Sequence, residues 1–191
     1  TFLNHSIFGQ LPLYPKFVQL AVTDSTNNEA KRILERDNKP HATVVLADYQ
    51  TAGRGLTGNS WLGNPGENLY MSIILETDMP TEDQYLLNIC VALALFNMMD
   101  DDEPELKIKW PNDIYFKNQK IAGTLIENTI TGNKIRTSII GIGINVNQLN
   151  FDDSLNAVSL ALMKGMKTNV GDLAYTFIDH FNPVLYRASV N

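Results

Sequence analysis

The stretch Ile140-Gly-Ile-Gly-Ile-Asn-Val-Asn147 alternates branched apolar residues with glycine or asparagine. A period of two is typical of a β-strand, in which successive side chains point to opposite faces. We therefore expect one apolar face and one almost bare face, the latter containing Gly141 and Gly143. Glycine weakens a strand and is often kept where a ligand or another backbone approaches closely. The sequence leaves open whether the bare face meets a ligand, a tightly packed helix or a bulge.

Other segments predict further strands and helices around this one. Residues that favour strands are concentrated in 17–23, 43–50, 68–76, 107–110, 114–116, 121–127 and 135–147. Apolar residues at helical spacing predict helices over 27–36, 82–99 and 171–187. We expect the first helix to open with a capping box, Thr26-Asn-Asn-Glu29, and the second to be packed on both sides. Pro183 should bend or end the third helix.

Length and composition indicate one globular domain. The chain has 191 residues, within the usual range for a single domain. Hydrophobic residues make up 44% and charged residues 19%, which excludes the composition of a disordered chain. The formal net charge is −6, so there is no general attraction to nucleic acid, and we expect no DNA binding.

Cysteine content and hydropathy bear on the compartment. The single cysteine, Cys90, cannot form a disulfide within the chain, which is typical of a reducing compartment. The longest nearly uncharged apolar run, residues 86–99, is shorter than the ~20 residues that a membrane-spanning helix needs. We therefore expect a cytoplasmic protein without a membrane span.

A glycine-rich segment follows the strand predicted at 43–50. Gly53-Arg-Gly-Leu-Thr-Gly58 matches the dinucleotide pattern G-x-G-x-x-G and nearly matches a P-loop, but both patterns require a helix directly afterwards. Turn-forming residues follow here instead, so both folds are excluded by context. A long loop, residues 51–67, remains, and long loops of this kind are often functional. Arg54 can grip an anion and Trp61 can cover a flat ring, so a nucleotide is a plausible ligand.

The segment from Lys109 to Gly123 predicts a β-hairpin with Asn118-Gln119 in its turn. In that register Asp113 and Lys120 share a face, near Asn112, whereas a shift of one residue separates them. A lysine, a carboxylate and an amide suit magnesium-assisted phosphoryl or adenylyl transfer. The alternative is a solvent-exposed hairpin with a surface ion pair.

Other catalytic schemes find no support. No G-x-S-x-G elbow occurs, the three histidines are scattered along the chain, and no Cys/His cluster exists. Cys90 lies in an apolar helical stretch, where a core position is more common than a nucleophile.

Taken in order, several motifs resemble the catalytic domain of biotin protein ligases. They are Asp24-Ser-Thr-Asn27, Ala47 to Gly55 with Gly58 and Trp61, Asn68-Leu-Tyr-Met-Ser72, Lys109 to Asp113, Lys120-Ile-Ala-Gly123 and Gly141 to Asn145. The resemblance implies an α+β fold with a mixed, largely antiparallel sheet flanked by helices, akin to class II aminoacyl-tRNA synthetases and lipoate ligases. It also implies a two-step reaction, in which biotin and MgATP form biotinyl-AMP and a lysine of a biotin carboxyl carrier domain then accepts the biotin.

The resemblance also assigns roles to individual residues. The implied biotin contacts are Ser25, Thr26, Gln50, Gly53, Arg54, Gly55, Lys120, Gly141 and Gly143. The implied ATP contacts are Arg54, Trp61, Asn112, Lys120 and Asn145, and the implied magnesium ligands are Asp113 and Asn145. Lys120, Arg54 and Asp113 are the implied catalytic residues.

Two departures from the family pattern affect expectations. Leu56 and Thr57 stand where basic residues are common, so we expect weaker retention of biotinyl-AMP. We expect residues 1–187 to be the catalytic domain and 188–191 a tail, with no N-terminal helix-turn-helix domain and the C-terminal SH3-like domain missing or truncated.

Alternative functions remain open at this point. A lipoate or octanoate ligase or transferase of the same fold is one, and a non-catalytic biotin-binding module is another. The expected partners are biotin, ATP and an acceptor domain, and the chain could be a monomer or a homodimer.

Overall fold

In a computed structural model, the described residues are 4–38, 40–100, 102–152 and 154–190, without the side chains of residues 4, 5 and 57. The strands in these ranges are β1 (Asn4–Ser6), β2 (Gly9–Leu11), β3 (Lys16–Thr23), β4 (Thr43–Gln50), β5 (Asn68–Pro80), β6 (Leu106–Lys109), β7 (Asp113–Phe116), β8 (Gln119–Thr131) and β9 (Lys134–Asn145). The α-helices are α1 (Thr26–Arg36), α2 (Gln84–Met99), α3 (Leu160–Lys164) and α4 (Val170–Ser189). All the predicted strands and helices are confirmed, whereas β1, β2 and α3 were not predicted.

Strands β3 to β9 form one sheet in the order β3-β4-β5-β9-β8-β7-β6. Strands β3 and β4 are parallel, and the remaining neighbours are antiparallel. The expected mixed, largely antiparallel sheet flanked by helices is confirmed. The glycine-rich strand β9 lies centrally, between the two longest strands, β5 and β8.

The two faces of the sheet bury different helices. Helices α2 and α4 pack on one face, against side chains that include Ile140, Ile142 and Ile144 of β9. Helix α1 packs on the other face through Ala30, which contacts Val45, Ile74 and Ile139. Because strand side chains alternate, Gly141 and Gly143 lie on the α1 face. The predicted apolar face of β9 is therefore the main core, and its bare face is turned towards α1.

Two local predictions are wrong, and one of the two outcomes expected at Pro183 is excluded. Ser25, not Thr26, is the N-cap of α1, and it makes no side-chain cap. The Thr26 hydroxyl, which the capping box would have used, donates to the Gln50 side chain. Helix α2 is not packed on both sides, since Ile89 and Leu93 are exposed. Pro183 does not end helix α4, which continues to Ser189.

The hairpin of β7 and β8 turns one residue earlier than predicted. Phe116 pairs with Gln119, so Lys117 and Asn118 form the turn, and Lys117 has a φ of 54°. The Lys117 N–H donates to the carbonyl of Glu105, 2.8 Å away. Glu105 lies outside the hairpin, so a rule based on the turn residues alone cannot predict this contact.

No helix in the described ranges is long and apolar enough to span a membrane.

Candidate active site

A cavity lies on the α1 face of the sheet, between the start of α1, the glycine loop (residues 51–67) and strands β8 and β9. Of the sequence-predicted site residues, those that line it are Ser25, Thr26, Gln50, Arg54, Gly55, Trp61, Asn112, Asp113, Lys120, Gly141 and Gly143. The fold therefore brings most of the predicted site together. A wider hollow of about 880 Å³ beside β1 and β2 contains none of these residues, so its size does not make it the functional site.

The two strand glycines leave room for two different neighbours. A Cβ on Gly141 would lie 2.3 Å from Oδ1 of Asn27, at the start of α1. A Cβ on Gly143 would lie 2.5 Å from Cε2 of Trp61, in the glycine loop. Real Cβ atoms do not approach other atoms this closely, so a side chain at either position would force Asn27 or Trp61 to shift. The bare strand face therefore has two neighbours. At Gly141 it packs closely against the start of α1, and at Gly143, two residues further, it borders the cavity.

Lys120 and Asp113 form an ion pair inside the cavity, with 2.7 Å between Nζ and Oδ1. Moving the turn one residue earlier shifts each cross-strand pairing by two residues, so that Tyr115 pairs with Lys120, and a shift of two keeps Asp113 and Lys120 on one face. A β-bulge between Ile114 and Tyr115 changes the register again, so that Asp113 pairs with Gly123. The predicted pair thus forms, although the sequence did not predict the bulge.

The guanidinium of Arg54 is bound to Glu127 rather than turned freely into the cavity. Nη2 lies 2.7 Å from Oε2 and Nη1 lies 3.3 Å from Oε1. This two-point contact is the geometry in which arginine binds carboxylates best. The loop that carries Arg54 is consequently attached to strand β8.

A buried polar network organises the start of α1. The carbonyl oxygen of the Gln50 side chain accepts hydrogen bonds from the Thr26 N–H at 2.7 Å and the Thr26 hydroxyl at 3.1 Å. Ser72, fully buried on β5, lies 2.7 Å from the Thr26 hydroxyl and 2.6 Å from Oδ1 of Asn27. Buried polar groups of this kind hold neighbouring elements in one arrangement. Ser25, which is 2% exposed, lines the cavity beside this network.

Trp61 fills part of the cavity. Its ring lies over Gly143, and Nζ of Lys120 is 5.3 Å from the ring centre, within the range of a cation–π contact. The indole Nε1 is buried and, in the described part of the chain, has no hydrogen-bond partner. The remaining cavity measures about 140 Å³, below the roughly 300–1,000 Å³ of most ligand sites. A larger ligand therefore requires side chains that line the cavity to move, and Trp61 is one of them.

Two predicted site residues do not line the cavity. The carbonyl of Gly53 accepts a hydrogen bond from the Trp61 N–H at 2.9 Å, so Gly53 shapes the loop. Asn145 is 4% exposed, and its amide donates to the carbonyls of Lys120 and Val158. It thereby holds the backbone that carries Lys120. Asn112 does line the cavity, with its amide 2.6 Å from the carbonyl of Thr124.

Comparison with known proteins gives the family. A model described as the biotin/lipoate A/B protein ligase family matches residues 19–145. The chain belongs to this family. The matched range covers strand β4, the glycine loop, the hairpin and β9, and so includes every predicted site residue.

Relatives in the biotin/lipoate ligase family are similar over part of their length. The chain is 36% identical over 163 residues to the bifunctional ligase/repressor BirA of Bacillus subtilis, covering 84% of this chain and 48% of that protein. It is 34% identical over 130 residues to the biotin–[acetyl-CoA-carboxylase] ligase of Paracoccus denitrificans, covering 66% and 53%. The chain thus spans about half the length of these curated relatives.

Solved structures of biotin protein ligases share the fold. The Leishmania major protein in complex with biotinyl-5-AMP has a TM-score of 0.76 and 26% identity, covering 91% of this chain and 76% of that one. The Aquifex aeolicus protein in complex with biotin and ATP has a TM-score of 0.72 and 27% identity, covering 93% and 73%. These similarities confirm the expected synthetase-like fold.

Three positions at the site of this member of the biotin/lipoate ligase family were given no role from the sequence. Asn27 lines the cavity and its amide donates to Glu127 at 2.8 Å. A Cβ on Gly123 would lie 2.7 Å from Nζ of Lys120, so Gly123 makes space for the ion pair. Glycine inside a strand was a usable signal for Gly123, whereas nothing local marks Glu127, whose partners are distant in sequence.

Cys90 is a core residue, as the sequence indicated. It is 1% exposed within the core shared with α4. Burial raises the pKa of its thiol to about 12, so the reactive thiolate is scarce at neutral pH.

Proposed function

We propose that this chain activates biotin with ATP to form biotinyl-5'-AMP and transfers the biotin to a lysine of a biotin carboxyl carrier domain. The observation that carries the proposal is that two cations from different segments, Arg54 and Lys120, reach one cavity whose floor contains Gly141 and Gly143. Membership of the family and the similarity to proteins solved with biotinyl-5-AMP and with biotin and ATP support it.

In the first step, a carboxylate oxygen of biotin attacks the α-phosphorus of ATP. A carboxyl–phosphate anhydride bond forms, the bond from the α-phosphorus to the bridging oxygen breaks, and pyrophosphate leaves. Lys120 lowers the repulsion between the carboxylate and the α-phosphate because a fixed positive charge stabilises the negative charge that develops there. Arg54 binds the carboxylate and then the phosphate through its planar fork.

Asp113 suits a magnesium ion that ATP brings with it. Magnesium usually takes one or two carboxylates together with substrate phosphates. In the described ranges no group of three His, Cys, Asp or Glu side chains could hold a metal alone, so Asp113 would share the ion with the phosphates. Asn145 does not line the cavity. Its side-chain nitrogen donates to two carbonyls, and its oxygen is the atom that a magnesium ion would take. When bound, the ion neutralises charge on the leaving pyrophosphate.

In the second step, the neutral amine of the acceptor lysine attacks the carbonyl carbon of the anhydride. An amide bond forms, the bond to the phosphate oxygen breaks, AMP leaves and the amine gives up one proton to solvent. Arg54 and Lys120 stabilise the AMP phosphate as it departs. The acceptor lysine must reach the cavity, which requires the glycine loop to leave an opening.

The test is pyrophosphate release from MgATP with biotin or with lipoate, using Lys120→Met as the matched inactive control. We expect release with biotin, none with lipoate and at least a 100-fold loss in the variant. Release with lipoate alone would identify a lipoate ligase. Biotin binding without pyrophosphate release would identify a non-catalytic binding module.

A further inference from the structure

The carboxylate of Glu127 is shared by three side chains from two other segments. Arg54, in the glycine loop, contacts both oxygens. Lys31 of α1 lies 2.7 Å from Oε1, and the amide of Asn27 lies 2.8 Å from Oε2. Each oxygen therefore has one partner on α1 in addition to Arg54. Glu127 is 25% exposed as a side chain, so these contacts are partly shielded from water.

We infer that Glu127 is a positioning residue that holds Arg54, and with it the glycine loop, at the empty cavity and releases Arg54 to an anionic ligand. The inference rests on the proposed function for the identity of that ligand, a carboxylate or a phosphate. Lys31 and Asn27 keep the carboxylate partnered after Arg54 has left.

Arg54 must leave Glu127 for the proposed ligand to be bound. Its two Nη atoms are already on the carboxylate, so this fork of the guanidinium is not available to a second anion. The cavity of about 140 Å³ is also too small for an adenylate beside Trp61. Arg54 and Trp61 belong to the same loop, so one movement of the loop frees the guanidinium and enlarges the site.

The contacts from α1 reduce the free energy needed to move Arg54 away from Glu127. A partly buried carboxylate that loses all its partners destabilises a protein strongly. Here Oε1 retains Lys31 and Oε2 retains Asn27. Burial raises the pKa of Glu127, but hydrogen bonds from Lys31, Asn27 and Arg54 outweigh it and lower the pKa overall. The carboxylate therefore remains charged and can take Arg54 back.

Trypsin tests the contact without any ligand, because it cuts after Arg54 only when the loop is released. We expect Glu127→Gln to cleave at Arg54 about 3- to 10-fold faster than the wild type. Lys31→Met should cleave about 2- to 5-fold more slowly, since a less neutralised carboxylate attracts Arg54 more strongly. The matched control is Glu29→Gln, which removes a carboxylate that pairs with Arg32 and Arg36 on α1; cleavage should be unchanged.

Measurements of biotin binding then distinguish a positioning role of Glu127 from a merely structural one. We expect the dissociation constant to fall in Glu127→Gln and to rise in Lys31→Met, each by a similar factor to the cleavage rate. Neither substitution should change the dissociation constant for biotin in an Arg54→Ala background, because Glu127 and the ligand compete for Arg54. A structural role for Glu127 would persist in that background.

Two results overturn the inference, namely unchanged cleavage in both variants or equal effects with and without Arg54. If biotin fails to bind the wild type, the proposed function fails, while the trypsin comparison still decides the role of Glu127. If Glu127→Gln does not fold, Lys31→Met decides the question. It should show slower cleavage at Arg54 and a higher dissociation constant for biotin.

Discussion

Nζ of Lys120 lies 2.7 Å from Oδ1 of Asp113, and the pair occupies space that a side chain at position 123 would take. A Cβ there would come within 2.7 Å of Nζ and 3.0 Å of Oδ1. Glycine at 123 is therefore a condition for the position of the ammonium group in the cavity.

Gly123→Ala should lower activity without unfolding the protein. The added methyl group meets the flexible end of Lys120, which can move away, so we expect the free energy of unfolding to change by less than about 1 kcal/mol. The displaced ammonium group should slow pyrophosphate release at least 10-fold. Urea unfolding and the pyrophosphate assay measure the two effects, with Lys120→Met as the reference for complete loss. Wild-type rates in Gly123→Ala would show that the position of this pair is unimportant.

Gly143→Ala should displace Trp61 from the sheet. The new methyl group would overlap the indole, and ATP should then bind at least 10-fold more weakly, whereas biotin binding should change less. The KM values for the two substrates check this, together with the fluorescence of Trp61 in a Trp110→Phe background. Gly171→Ala in α4, where the nearest neighbouring atom is 3.4 Å away, is the matched control. Equal losses for both substrates would contradict a specific role of Trp61 at the nucleotide.

Leu56→Arg should retain biotinyl-AMP better than the wild type. Leu56 lines the cavity and is 42% exposed, so an arginine there adds positive charge near the phosphate. The corresponding expectation for Thr57 concerns a side chain outside the described residues. We expect less biotin on serum albumin incubated with the variant, biotin and MgATP. Equal labelling by the two proteins would show that charge at position 56 does not control leakage.

Asp24→Asn should destabilise the protein in a pH-dependent way. Hydrogen bonds from Arg32 and then from Asn28 hold the pKa of Asp24 well below its usual range. Because the folded-state pKa is lowered, the stabilisation is complete above about pH 4 and is lost as the pH falls further. The side chain is 40% exposed, so we expect only about 0.5–1 kcal/mol. Urea unfolding at pH 7 should show this difference from the wild type.

At pH 3 the difference between wild type and Asp24→Asn should be smaller than at pH 7. Asp179→Asn, on the exposed side of α4, serves as the control and should leave the free energy of unfolding unchanged at both pH 7 and pH 3. A difference that grows on acidification would contradict the assignment, because it would require a raised pKa.

Much of the fold was predictable because its signals are local. Strands β4, β5, β8 and β9 contain the β-branched runs that the sequence displays, and α1, α2 and α4 carry apolar residues at helical spacing. The elements that were missed, β1, β2 and α3, have three to five residues each. Elements this short carry little periodicity and depend on the partners against which they pack.

The exposure of one side of α2 was mispredicted, and the sequence did not decide between a bend and an end of α4 at Pro183, because both depend on packing against distant residues. Both helices were correctly recognised from local spacing, yet the way they pack was not local information. Apolar residues surround α2, but the sheet and α4 cover one part of it and leave Ile89 and Leu93 exposed.

The sequence by itself determined the strand with a bare face, the loop that carries Arg54 and Trp61, and the hairpin that carries Asp113 and Lys120, since each depends on residues adjacent in the chain. Only the tertiary structure decided where the hairpin turns and bulges and that Glu127 holds Arg54. Register, bulges and ion pairs between distant segments are set by packing free energy summed over the whole molecule, so no single stretch of residues contains that information.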